Sequence, residues 1–592
     1  MLPYFDRKLG LTVLLVALSG CGSGTRPVAT GTDASSTSFK VSDPWPAFIS
    51  AIRDQGDRKS CKAALGTLNA TLGANPSIAQ PKRANADDIA QLTKDFRLSK
   101  DEREYLSKPD FDTLDATYLS DALFLHSAVQ AAGLKDTDDP LTKANVLFVW
   151  VCRHVLLTQL PLLPEPPTSV LTRGSGTGLE RAYAFLAVAQ AAGLEAYLVG
   201  QNAYDRTAEP VVNGKPSKGP FWGVGIRDGV NVYLYDPWRG EPLPGVKAGT
   251  PATLAEVRTN PEAVAWLNDM QNPWDVSLRE LRGAELYVSV PLPALCPRQA
   301  FLQEVLEREL GVKLYADWRS LSQPTAENQT IRAWNPANAL TPVRLLRSHA
   351  LKTYGGLRDE SDTGSPYAVQ YQVSRVPLFQ LDSAGADFPP SIQNALLYSA
   401  KQKFLEDFFT MPSTREKMLR GDLREATKDL VILQDKYEAA ALRKSIGKTV
   451  QSANLKAWLQ GLTTAREALA QANLPEFATN RPEAEQRLAK LMREVPPQYF
   501  QLLEEQIGPV ASLEVALQLA MIAHDRAESA DVAAKRSSSE KAQLAAKREW
   551  VAARASWARL QEQYPQVELA YPGRTVQLQK LQKRAEAAAA MQ

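Results

Sequence analysis

The chain has 592 residues, 44% of them hydrophobic and 23% charged. That is too long for one core, and roughly two to four domains are expected. Lys plus Arg number 68 against 66 for Asp plus Glu, a formal charge of +2, which argues against a dedicated nucleic-acid binder. Four His and four Cys exclude a zinc array and a disulfide-dense scaffold.

Arg7 and Lys8 precede the short apolar run Leu11 to Leu18, and Leu18-Ser19-Gly20-Cys21 follows. The run is too short to span a bilayer, and the order of basic, apolar and small residues reads as an export signal. The tetrad LSGC resembles the lipobox of bacterial lipoproteins. The resemblance implies a signal peptide over 1–20, lipidation of Cys21, and a lipid-anchored, periplasm-facing protein of the bacterial cell envelope. Gly22 in place of an Asp implies the outer membrane. Residues 21–46 are rich in Gly, Ser, Thr and Pro and read as a flexible tether. With Cys21 lipidated, Cys61, Cys152 and Cys296 remain. They could form one disulfide in three pairings, or stay as three free thiols. The second is favoured because no two sit at a motif spacing.

Further along, residues 47–135 carry helical spacing, as in Phe48, Ile49, Ile52, Ala64, Leu65 and Leu68. They read as a helical lead-in packed on the next domain. Residues 140–290 change character. Leu147 to Val151 begins a buried helix, and a Pro-rich loop follows. Arg173 to Gly178 opens a helix that Gly193 ends as a C-cap. Ala196 to Val199 reads as a strand. Trp222 to Ile226 and Val232 to Tyr235 read as a hairpin about Arg227-Asp228-Gly229. Residues 291–385 form a mixed α/β region of no recognised fold, with a helix at Phe301 to Leu310 and strand-like alternation at Tyr367 to Phe379. Residues 390–592 are nearly all helical. Leu544, Trp550, Val551, Trp557, Leu560 and Tyr564 are expected to share one stripe. Gly421 to Ala426 loosely resembles half of a tetratricopeptide repeat, but no 34-residue period recurs, so a helical array is expected. Ala587 to Ala590 should fray. The whole is α+β, with a central domain between helical flanks.

The glycine-led helix, the strand after Gly193 and the hairpin ending Tyr235-Asp236-Pro237 resemble a bacterial transglutaminase-like domain of the papain-like fold. In active members a Cys begins the helix, a His sits on the first hairpin strand and an Asp ends the second. The thiolate attacks an acyl carbon, the imidazole moves the proton and the Asp fixes its tautomer. Here the nucleophile position falls on Gly178, no His occurs between 155 and 348, and only Asp236 matches. The resemblance therefore implies a catalytically degenerate domain. Asp236 is expected to cap its own turn. Gly178, Glu180, Arg181, Trp222 and Asp236 are the candidates for a remnant cleft.

Other chemistries find little support. Gly174, Gly176 and Gly178 open a helix, but the third comes one residue early for a dinucleotide fingerprint and no Walker lysine follows. Cys152 and His154 point about 200° apart on a helix and cannot form a dyad. His126, His349 and His524 are isolated in sequence, and Glu504-Glu505 reads as a solvated face. No metal or cofactor is expected. The expected function is a non-catalytic envelope lipoprotein, bound to the membrane through its lipid and to a protein partner through its C-terminal helices. The alternative is an envelope peptidase or amide acyltransferase with a relocated nucleophile, such as Ser175. Eleven Trp and 18 Tyr are compatible with a cell-wall or peptide ligand.

Overall fold

The computed structural model describes residues 44–334 and 412–591, apart from short stretches within them, such as 158–165, 202–210, 269–275, 472–479 and 566–574. Cys21, the tether up to residue 43, His349 and the alternating segment Tyr367 to Phe379 lie outside the described residues; Trp45 and Pro46, expected in the tether, instead begin a helix, and Trp45 packs on Phe301. The chain combines helices with one six-stranded mixed sheet. No described helix is long and apolar enough to cross a membrane.

The lead-in comprises α1 (Trp45–Arg53), α2 (Arg58–Ala74), α3 (Ala86–Phe96), α4 (Lys100–Ser107) and α5 (Thr113–Ala131). Asp57, Asn85 and Asp112 start α2, α3 and α5 by accepting bonds from otherwise orphaned N–H groups. Asp57 accepts from Ser60 N at 2.7 Å, and Asp112 and Asp115 form a capping box on α5. Phe48, Ile52, Leu65 and Leu68 share a core with Leu302, Val305 and Leu306 of a later helix, Pro297–Leu310. A buried polar knot ties the same elements. Arg298 Nε donates to Asp115 Oδ2 at 3.0 Å, Gln299 Nε2 donates to Asp115 Oδ1 at 2.6 Å, and Tyr105 donates its hydroxyl to the same oxygen at 2.6 Å. The described part of the 291–385 region is thus no separate body. It supplies a helix to the N-terminal core and a strand to the sheet.

After α6 (Pro140–His154) and a short α7 (Pro167–Arg173) that the sequence reading missed, α8 (Gly178–Ala191) packs on the sheet. The small strands β1 (Leu156–Leu157) and β2 (Ser175–Gly176) pair beside it. The main sheet contains β3 (Glu195–Gly200), β4 (Phe221–Asp228), β5 (Asn231–Asp236), β6 (Glu241–Pro242), β7 (Glu285–Val288) and β8 (Ile331–Ala333), in the order β8-β7-β3-β4-β5-β6. Within this sheet only β7 and β8 pair in parallel. Side chains alternate across a strand. Ala196 and Leu198 face the core under α8, whereas Tyr197 and Val199 face the opposite core with Leu234 and Leu254.

The C-terminal helices are α13 (Pro412–Leu419), α14 (Leu423–Ser445), α15 (Ala453–Gln471), α16 (Arg481–Arg493), α17 (Pro497–Ser537), α18 (Glu540–Gln563) and α19 (Thr575–Met591), following α9 (Leu254–Thr259), α10 (Leu278–Arg282), α11 (Pro297–Leu310) and α12 (Trp318–Leu321). They pack with α17 against both α14 and α18. Trp550, Ala553, Trp557 and Leu560 form the buried stripe of α18. Leu544 and Val551, expected on that stripe, are exposed at 49% and 41%. Both lie off the 3.6-residue line that Trp550, Trp557 and Leu560 define. Ala588 and Ala589, expected to fray, pack against the C-terminal core.

This array docks on the central domain. Leu156 is buried in the array's core, and Leu419 is buried in the core under α8. Arg415 donates to the carbonyls of Leu171, at 2.8 Å, and of His154. Its guanidinium lies against Gly174, where φ is +79° and an added Cβ would approach Arg415 Cζ to 2.5 Å. Gly is required there on both counts.

Candidate functional site

Thr177 caps α8 in a box with Glu180, so the helix begins at Gly178, the position where the resemblance places a nucleophile. That position is filled. An added Cβ on Gly178 would lie 2.2 Å from Trp238 Cδ2 and 2.3 Å from Cε2. The indole therefore packs directly on the helix start.

The neighbouring candidates hold this plug in place. Asp236 is buried, and its Oδ1 accepts from Trp238 N at 2.7 Å and from Arg239 N at 3.1 Å. Asp236 thus caps its own turn, as expected of an Asp at that position, and the turn delivers Trp238 onto Gly178. Arg181 is fully buried. It donates from Nε to the Val155 carbonyl at 2.9 Å and from Nη1 to the Pro237 carbonyl at 3.0 Å. It straps the turn to the end of α6. Glu180, also fully buried, pairs with Arg173 at 2.9 Å and accepts from Thr177 N at 2.9 Å. Its chemistry is spent on capping and pairing.

Trp222 is not part of this group. Alternation along Trp222, Val224 and Ile226 would put all three on one face. The register instead shifts between Val199 and Gly200, which pair with Gly223 and Phe221. Trp222 is the extra residue of that bulge, and a bulge reverses the facing of what precedes it. Phe221 turns to the α8 side, where its ring stacks on Trp238 at 6.3 Å, while Trp222 enters the opposite core. Trp238 was not singled out by sequence reasoning. Its position directly after Asp236-Pro237 is the only signal that could have found it.

Relocated nucleophiles fare no better. Ser175 is fully buried, and its hydroxyl has no hydrogen-bond partner among the described residues. Cys152 is half-buried and lies 3.4 Å from where a Gly240 Cβ would be. Burial pushes its thiol up to about 11, outweighing the pull of Arg181. Cys61 and Cys296 are fully buried free thiols. Burial pushes Cys61 up to about 12 and Cys296 well up. A reactive cysteine needs a depressed value, not a raised one.

The histidines are not all isolated. His154 and Arg153 of α6 both meet Asp525 of α17, at 3.1 and 2.7 Å. His524, next in the chain, lies against Trp550 and Trp557 and approaches Glu528 at 3.4 Å. His524 and Glu528 are four residues apart on one helix, a spacing the sequence shows, whereas the contacts of Arg153 and His154 with Asp525 come only from long-range packing. Cys152 and His154 point apart, one to the plug and one to α17, as helical geometry requires. Among the described residues no group of three or more His, Cys, Asp or Glu could hold a metal ion.

One cavity of about 350 Å³ lies elsewhere. It opens between α3, α4 and α5, the C-terminal end of α8 and the segment 289–321. Leu98, Leu125, Leu186 and Trp334 contribute apolar wall, and Glu102, Asp121 and Lys313 contribute charge.

No protein-family model, no curated protein and no solved structure matches the chain.

Proposed function

We propose that this chain is a lipid-anchored protein of the bacterial cell envelope whose transglutaminase-like central domain is a non-catalytic binding or scaffold module, with the C-terminal helices contributing the surface for a protein partner. The observation that carries the non-catalytic reading is the Trp238 indole on Gly178. Acyl transfer at a helix start needs an open approach to a nucleophile with a base beside it, and here an aromatic ring occupies the approach. The lipobox residues Leu18 to Cys21 support the anchor.

Two measurements test the reading. Alkylation of Cys61, Cys152 and Cys296 is timed by mass spectrometry from pH 5 to 9 on the chain from Gly22 onward. All three should react slowly in the native state and quickly in denaturant. A thiol that reacts fast below pH 7 would overturn the non-catalytic reading and name a nucleophile. For the anchor, Cys21→Ser should move the protein from the detergent phase to the aqueous phase of a Triton X-114 partition. An unchanged distribution would remove the lipid from the account.

A further inference from the structure

The 350 Å³ cavity has the size and the largely apolar wall of a small-molecule site. It lies at the opposite end of α8 from Gly178, roughly 20 Å away by helix rise. Its charges are unevenly placed. Glu102 is buried at 1% exposure and Asp121 is half-buried, while Lys313 is exposed. Lys313 Nζ lies 2.9 Å from where a Gly193 Cβ would be, beside the carbonyl end of α8. A helix C-terminus carries partial negative charge and favours a cation, and Lys313, exposed beside it, also lies 4.0 Å from Glu307 Oε1. The deeper charges are carboxylates. Tyr118 and Tyr183 have their hydroxyls engaged, Tyr118 donating to the Leu314 carbonyl at 2.6 Å and Tyr183 accepting from Trp334 Nε1 at 2.6 Å. Their rings remain as aromatic wall, the surface on which an organic cation is attracted.

We propose that this cavity is a binding site for a small apolar organic cation, an ammonium carried on an alkyl or aryl body. The apolar body fills the space between α5 and α8, and the ammonium is drawn toward Glu102 and Asp121. The inference does not depend on the filled cleft or on the lipid anchor, and can stand or fall without them.

The test is calorimetric titration of the full-length chain with three probes of one shape: 4-phenylbutylamine, 4-phenylbutyrate and 4-phenylbutanol. The amine should bind about tenfold or more tightly than the carboxylate, the scale of one charge-assisted contact. Asp121→Asn keeps the acceptor that Thr168 donates to at 3.1 Å but removes the charge. It should weaken the amine about tenfold and leave the alcohol unchanged. Ala187→Phe, which fills the cavity from α8, should abolish binding of all three. Preference for the carboxylate would assign the site to Lys313 and overturn the proposal. So would absence of binding by every probe, or amine binding that survives Ala187→Phe.

Discussion

Replacing Gly178 by Ala is the sharpest perturbation of the filled cleft. Ordinarily Ala for Gly near a helix start stabilises by about 0.4–1 kcal/mol, because the unfolded chain loses freedom. The new methyl, however, would sit 2.2 Å from Trp238 Cδ2, where carbon atoms ordinarily keep about 3.5–4.0 Å. The indole must retreat by more than an ångström. It is held by its stack on Phe221 and by the Asp236 turn, so it cannot swing away freely. Overpacking of this kind costs about 1–3 kcal/mol, and the net effect should be a loss of about 1–2 kcal/mol. In a Trp238→Ala background the same substitution should revert to the ordinary gain. The coupling energy of the cycle is then about 1–3 kcal/mol. Guanidinium unfolding of the four proteins, followed by far-ultraviolet circular dichroism, measures it. Additivity of the two substitutions, or stabilisation by Gly178→Ala with Trp238 present, would refute the contact.

Asp525→Ala removes the carboxylate that Arg153 and His154 share, and losing one partner of a buried pair costs about 3–5 kcal/mol. The array should then release from the central domain, read as new proteolytic cuts near α6. Acid should loosen the same interface. Burial holds His154 and His524 below the ordinary histidine value, against the pull of Asp525 and Glu528 and aided by Arg153. Groups of this kind give stability that is whole above about pH 6.5 and is lost as pH falls below it. Burial raises Glu528, but His524 and Arg584 outweigh it and hold the carboxyl at about 2, so its share is lost only in stronger acid. Asp112 has the opposite sign, since burial and Asp115 push it up to about 6. Hydrogen exchange of α17 near His524, rather than global unfolding, therefore isolates the effect. Protection that is flat from pH 8 to 5 would refute it.

The parts legible in sequence were those that local physics determines. Helix α8 announced its C-terminal end through Gly193 at φ +81°, while its start, expected over Arg173 to Gly178, falls at Gly178, because Arg173 ends α7 and Ser175–Gly176 form β2; the β4–β5 hairpin announced its turn through Gly229. The role of Asp236 was legible because an Asx turn is closed within three residues. What could not be read was anything set by a register or a distant contact. The bulge that exchanges Phe221 for Trp222 depends on pairing with Val199 and Gly200, and no alternation pattern contains that pairing. Strands β7 and β8 are only four and three residues long, too short for a period-2 signal. The His154–Asp525 contact joins residues from two different cores.

The two ends of α8 offer different chemistry. A helix N-terminus concentrates unpaired N–H groups and positive potential, which suits a thiolate or an oxyanion. Here the Thr177 and Glu180 side chains take up the N–H groups of Glu180 and Thr177, and Trp238 packs on the first residue. With two of those donors taken and an indole against Gly178, that end has less to offer an anion or an acyl substrate. The C-terminal end keeps space around it, because α3, α4 and α5 stand off from Leu186 and Gln190 across the cavity. Its potential is of the opposite sign, and the buried Glu102 reinforces it. The two ends of one helix thus differ in sign and in space: the first is packed under Trp238, and the second borders a cavity with carboxylates in its lining. A mutation that reopens the first end, such as Trp238→Ala, should therefore leave amine binding at the second unchanged.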